Sequence, residues 1–341
     1  MSAALEALAA ALDKELGANS EDIGVINFLN TGFEPLNEII SGSSDRGLPF
    51  GRMIEIYGDS SSGKTVLASE FMIAAQKMGG IAIFEDWEKA YNVEFSIENG
   101  LNPKRPYWIY NKPRTWEEGN VHAAKACELI RKSKAIPDEA PIVVVFDSIA
   151  AAIPQSSSDK EITELNMNDT SALARVTSTT LKVMAQFAED FNAIFIYLNQ
   201  TREKIGVMFG SKVTTPGGKA MEFYATARLQ VSRTVLTQGT GKGDEKETVG
   251  QLVTIKCVKS KLTAPFKTTK MILAFDERGK ASFDLVSSLV DYMTLKKIIG
   301  GATWIEFDGE KFQGRAKLID HIKKENKYEK LVKLFKDSRP T

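Results

Sequence analysis

Cysteine and long apolar runs are scarce in this chain of 341 residues, and it carries no net charge. Cys127 and Cys257 are the only cysteines, too few for a zinc cluster or a disulfide framework. No apolar run approaches the ~20 residues that a membrane span needs. The Ala/Leu-rich start, Met1 to Leu16, is broken by Glu6, Asp13, Lys14 and Glu15, which suits a short amphipathic helix rather than a signal peptide. With 44 basic residues against 44 acidic, a case for nucleic acid must rest on local patches. A soluble, cytoplasmic protein with no membrane partner is expected.

What the chain does carry is Gly58-Asp59-Ser60-Ser61-Ser62-Gly63-Lys64-Thr65, a complete G-x-x-x-x-G-K-T loop. Arg52 to Tyr57 before it alternates as a strand, and Val66 to Met78 after it reads as a helix. A strand, a glycine-rich turn and a helix N-terminus form a phosphate cradle. Backbone N–H groups turn toward the phosphates, Lys64 adds a point charge, and the Thr65 hydroxyl can sit on Mg²⁺. Val143-Val144-Val145-Phe146-Asp147 is an apolar strand ending in an acid, placed to orient the same cation. A nucleoside triphosphate with Mg²⁺ is therefore the expected ligand. Hydrolysis also needs a group to polarise water. Glu85, Asp86 and Glu88 all stand at the end of the next strand, and alternation does not choose among them.

From about 33 to 270, strands alternate with helices, the pattern of an α/β fold with a mostly parallel central sheet. Candidate core strands are Ile54–Tyr57, Ile81–Glu85, Ile142–Phe146, Ala193–Leu198, Ala227–Ser232 and Leu252–Cys257, with a hairpin tip at Gln238–Asp244. Asp22–Asn27 is a candidate short strand. Stretches from Pro154 to about Asp169 and from Arg202 to about Gly218 follow strand ends, where α/β proteins place binding loops. The expected organisation is an N-terminal helix-strand oligomerisation segment (1–32), the ATPase core (33–270) and a small α/β C-terminal domain (271–341). That last part is locally basic, with ten Lys/Arg against four Asp/Glu from Lys311 onward.

Asn199 to Gly210 (NQTREKIGVMFG), followed by Thr214-Thr215-Pro216-Gly217-Gly218, resembles the second DNA-binding loop of the bacterial RecA recombinases. Leu48 to Gly58, Phe223-Tyr224-Ala225 and Lys259 to Lys267 resemble the same family, in the same order, so the likeness runs from roughly 31 to 270. It implies a RecA-like P-loop ATPase core that works as a helical filament on DNA. Glu88 matches the glutamate that positions water against the γ-phosphate. Gln200 matches the glutamine that senses that phosphate and begins the second loop. Lys259 and Lys261 match lysines that reach a neighbour's nucleotide, and Phe223 matches an interface residue. With Lys64, these four polar residues form the expected catalytic set.

Around the base, the resemblance aligns Asn92 and Phe95 with an aspartate and a tyrosine, and Trp87 with a small residue beside the catalytic glutamate. The first loop, Ser156 to Asn168, resembles the family only loosely. For DNA it implies Arg175 and Lys182, seven apart on one helix face, and Arg202, Lys204 and Lys212 in the second loop. Gly217 and Gly218 would let backbone N–H groups approach phosphates, and Ile205 would wedge between bases. Between Gln200 and Val235 stand six basic and two acidic residues, the local patch that the global balance hides. The chain ends at Arg339-Pro340-Thr341 without the acidic tail typical of bacterial members, which reads as a weaker electrostatic restraint on DNA loading.

The resemblance implies strand exchange between single-stranded DNA and homologous duplex, with single-strand-binding and loader proteins as accessory partners. The rival readings are a ring-forming helicase or branch-migration ATPase of the same fold, and a regulatory ATPase scaffold with no DNA role.

Overall fold

The computed structural model describes residues 3–16, 27–164, 167–203, 213–238, 247–300 and 303–339. Its centre is a nine-stranded sheet: β1 (Arg52–Gly58), β2 (Ile81–Asp86), β3 (Trp108–Asn111), β4 (Ile142–Asp147), β5 (Ala193–Gln200), β6 (Ala227–Gln238), β7 (Glu247–Ser260), β8 (Thr268–Phe275) and β9 (Ala281–Asp284). Their order is β9-β8-β7-β6-β1-β5-β4-β2-β3. From β6 through β3 every neighbour is parallel. β7, β8 and β9 continue the sheet antiparallel. Each core strand expected from the sequence lies in this sheet. The tip expected between β6 and β7 falls largely on 239–246, outside the described residues, as do residues 22–26 of the candidate N-terminal strand.

The parallel strands are near-continuous apolar runs because helices cover both faces. On one face Phe84, Val143, Val145 and Ile196 pack with Leu67 and Phe71 of helix α1 (Lys64–Lys77). On the other, Ile83, Val144 and Phe195 pack with Cys127 of α2 (Trp116–Ser133) and with Leu181 and Met184 of α3 (Met167–Asp190). Both cysteines are free and buried.

The C-terminal helices Gly314–Lys324 and Tyr328–Asp337 add Leu318, Ile322, Leu331 and Phe335 to the first of these cores. The N-terminal helix Ala3–Leu16 keeps all its described side chains exposed, Leu5 and Leu8 among them.

Candidate nucleotide and DNA site

Parallel strands all end on one rim, and this rim gathers Gly58, Glu85, Asp86, Asp147, Asn199 and Gln200. Such a rim is where open α/β sheets hold their ligands. Gly58 leaves β1 against β6, and a Cβ there would meet the Val231 carbonyl oxygen at 2.0 Å. Only glycine permits that approach. The chain then turns through Asp59–Ser62 to Gly63, the N-cap of α1. The Lys64 ammonium folds back onto the carbonyl oxygens of Gly58 and Asp59 at 3.0 and 2.7 Å. Burial holds its pKa below the usual lysine value, and anionic phosphates in the loop would offset that. Ser62 is buried and its hydroxyl oxygen has no partner among the described residues. A crowded glycine, a lysine lying on loop carbonyls and an unpartnered hydroxyl fit a bound triphosphate.

The Thr65 hydroxyl donates to Asp147 Oδ2 at 3.0 Å, so the two groups expected to hold Mg²⁺ are adjacent. Burial first, then the nearby Glu88, pushes the Asp147 carboxyl up to about 7. A divalent cation would relieve both effects. Among the described residues no group of three or more His, Cys, Asp or Glu can hold a metal. Such a site suits Mg²⁺ held by few protein ligands together with phosphates and water.

The three acids at the end of β2 have different surroundings. Glu85 is fully buried and accepts from Asn111 Nδ2 at 2.7 Å. Asp86 accepts from the Lys89 and Tyr91 amides and from the Tyr110 hydroxyl. Glu88 projects onto the rim, where its Oε1 accepts from Ser148 Oγ at 2.5 Å and from Gln200 Nε2 at 3.4 Å. The Thr201 hydroxyl bonds Asp59 Oδ1, joining the start of the second loop to the phosphate loop.

At the base side, exposed Asn92 caps the short helix Val93–Glu98, its Oδ1 accepting from the Phe95 amide at 3.0 Å. Phe95 is half-buried. Tyr91 stacks on Phe84 at 4.0 Å and bonds Ser69 and Ser96. From the sequence Tyr91 has no assigned role, and Ser148 enters only as the residue closing the Val143–Ser148 nucleotide signal. Ser148, directly after the strand-ending Asp147, carried the available signal.

Arg175 and Lys182 lie exposed on α3. A Cβ at Gly217 would meet the Ile149 and Thr177 side chains, and one at Gly218 would meet Ala174. The exit of the second loop therefore packs on α3 beside Arg175. Exposed Arg202 begins a two-residue ladder, Arg202–Glu203 with Val213–Thr214. Lys204, Ile205 and Lys212 lie outside the described residues.

Helix α4 (Ala220–Tyr224), packed against α3, presents Phe223, 72% exposed. Lys259 Nζ donates to the Glu222 and Phe223 carbonyls at 2.6 and 2.9 Å. Burial, then Lys261 and Arg228, lowers its pKa to about 8. Lys261 is exposed nearby.

Comparison with known proteins identifies relatives of the chain. The chain is 36% identical over 278 residues to the chromosomal RecA protein of Lactococcus lactis subsp. lactis (strain IL1403), a match covering 81% of this chain and 67% of the relative. It is 36% identical over 266 residues to the RecA protein of Streptococcus equi subsp. zooepidemicus (strain MGCS10565), covering 78% and 65%. The chain thus spans about two thirds of the length of these relatives. A crystal structure of the RadB recombinase aligns with a TM-score of 0.48 at 19% identity, over 74% of this chain and 98% of that one. The family model of the RecA N-terminal domain matches residues 9–279, a span that holds the phosphate loop, Glu88, Asp147, Gln200 and Lys259, and the chain belongs to that family.

Proposed function

We propose that the protein is an ATP-hydrolysing recombinase that assembles on single-stranded DNA as a helical filament and exchanges strands with homologous duplex. The observation that carries this reading is the Glu88 carboxylate, shared by Ser148 and by Gln200 at the foot of the second loop. A group placed to polarise water is thereby tied to a basic loop, so nucleotide state and DNA contact have a common element. ATP with Mg²⁺, once bound, supplies the phosphoanhydride and the charge that these side chains read. Lys64 and the loop amides hold the phosphates, Thr65 and Asp147 hold the cation, and Glu88 orients the attacking water. Asn92 and Phe95 face the base.

Lys259 and Lys261 serve a neighbouring subunit's nucleotide across an interface that includes Phe223. Arg175, Lys182, Arg202, Lys204 and Lys212, with Ile205, Gly217 and Gly218, line the DNA path. Residues 1–32 serve assembly, 33–270 form the ATPase core, and 271–341 add a basic C-terminal domain. Single-strand-binding and loader proteins would act as accessories. Electron microscopy with ATP and single-stranded DNA tests the assembly. Continuous DNA-dependent filaments support the proposal. Closed rings favour a helicase, and DNA-independent particles favour a scaffold.

A further inference from the structure

Behind the foot of the second loop lies a buried carboxylate that the proposed chemistry does not use. Glu55 is fully buried in β1, between two strands that lead to different functional groups. Its Oε1 accepts from Asn199 Nδ2 at 3.0 Å. Asn199, also fully buried, donates its other amide hydrogen to the Pro216 carbonyl at 3.0 Å. Its Oδ1 accepts the Gln200 amide at 3.0 Å. One asparagine thus ties the entry of the second loop to its exit, and Glu55 holds that asparagine. The other oxygen, Oε2, accepts from Arg228 Nε at 2.5 Å. Arg228 is paired with Glu55 in the β6–β1 register and lies over the Tyr57 ring at 4.8 Å. Its Nη1 reaches Glu222 Oε1 at 3.4 Å, on the short helix that presents Phe223 and accepts from Lys259.

We propose that Glu55 is a positioning residue for Gln200: through Asn199 it clamps the stem of the second loop, and through Arg228 it joins that stem to the helix of Phe223. This rests on the recombinase reading above. A polar residue fully enclosed in the central strand of a sheet is costly unless each of its oxygens is bonded. Here both bonds lead to elements of that reading. Without an acceptor at Glu55, Asn199 loses one of its three bonds and its amide is free to turn away from Pro216 and Gln200. Loss of Glu55 therefore frees Gln200 from its fixed approach to Glu88.

Removing one partner of a buried ion pair leaves the other charge stranded, whereas removing both is tolerated far better. The test therefore uses paired variants of the full chain. Glu55→Leu with Arg228→Met removes both charges and the acceptor for Asn199. Glu55→Gln with Arg228→Met also removes both charges but keeps an amide oxygen for Asn199. For the Leu/Met variant we expect DNA-stimulated hydrolysis to fall at least tenfold, with affinity for an ATP analogue within threefold of the parent. Hydrogen exchange at the Gln200 amide should quicken in parallel. In the Gln/Met variant the slow exchange should return, with most of the stimulated rate. A folded Leu/Met variant with parental exchange and parental stimulated rate would overturn the proposal, as would a Gln/Met variant no better than Leu/Met. A parent that DNA does not stimulate would instead sink the recombinase reading, while the exchange measurement still judges the clamp.

Discussion

Glu88 differs from its neighbours Glu85 and Asp86 by what surrounds it rather than by its chemistry. Glu85 faces α2, with His122 Nδ1 at 3.7 Å from its Oε2 and Glu118 on the far side of that ring. Burial pushes its carboxyl up to about 8, against the lowering effect of the Asn111 bond. A folded-state pKa above the unfolded value means stability present at low pH and lost as pH rises from about 4.5 through 8. Glu85→Gln should therefore stabilise the protein by up to about 5 kcal/mol at pH 9 and by close to nothing at pH 4.5. Urea unfolding at the two pH values checks this, and equal effects at both would contradict it. Among the described residues, Ser148 gives the Glu88 carboxylate one of its two hydrogen bonds. Ser148→Ala should lower the hydrolysis rate about tenfold, worth about 1.4 kcal/mol, with nucleotide affinity unchanged in a binding titration.

At the scale of elements, an aromatic slab packs α2 against the ends of the rim strands. Trp87 stacks on Trp116 at 5.3 Å and on Phe146 at 5.8 Å, and Phe146 stacks on Tyr197 at 4.2 Å. The Trp87 indole N–H donates to the Thr115 carbonyl at 2.8 Å. Trp87 precedes Glu88, Phe146 precedes Asp147, and Tyr197 lies on the strand that ends at Gln200. The slab closes over Gly119 of α2, where a Cβ would stand 2.6 Å from Trp87 Cζ2. Gly119→Ala should destabilise by about 1–3 kcal/mol, and by much less in a Trp87→Ala background, where the ring is gone. Denaturant titration of the four chains reads this; additive costs would contradict it. Little of this slab is legible in the sequence, because its members come from separate elements and meet only through the sheet order. Strands β2, β4 and β5 were legible as nearly continuous apolar runs, since both their faces are buried, and β1 as an alternating run leading into the phosphate loop. Edge strand β3 was not, because Trp108–Asn111 is short and partly exposed. Glu55 reads in sequence as the outward position of an alternating strand. The β6–β1 register that sets Arg228 against it is tertiary information. Among the three acids, only family resemblance pointed to Glu88, whereas the structure shows how Glu85 and Asp86 are already engaged.

For the whole molecule, the proposed filament requires Lys259 to leave the carbonyls of Glu222 and Phe223 and meet a neighbour's phosphates. In the separate subunit its pKa is lowered to about 8, so it loses its proton as pH rises through that value. Phosphate oxygens would restore the charge, and assembly with ATP should take up protons above about pH 8. Assembly should therefore weaken between pH 7 and 9, measured as the protein concentration at half-maximal light scattering. A Lys259→Arg variant, charged throughout, should flatten that dependence; the same slope in both proteins would contradict the role.

The most direct test of the central claim is the rate of ATP hydrolysis with and without single-stranded DNA, beside a Glu88→Gln variant. DNA should stimulate the parent at least tenfold. The variant should lose that rate by about a hundredfold or more while still binding nucleotide. Hydrolysis that DNA does not change, or that survives the loss of the Glu88 carboxylate, would contradict the coupling of the phosphate loop to the second loop through Glu88 and Gln200.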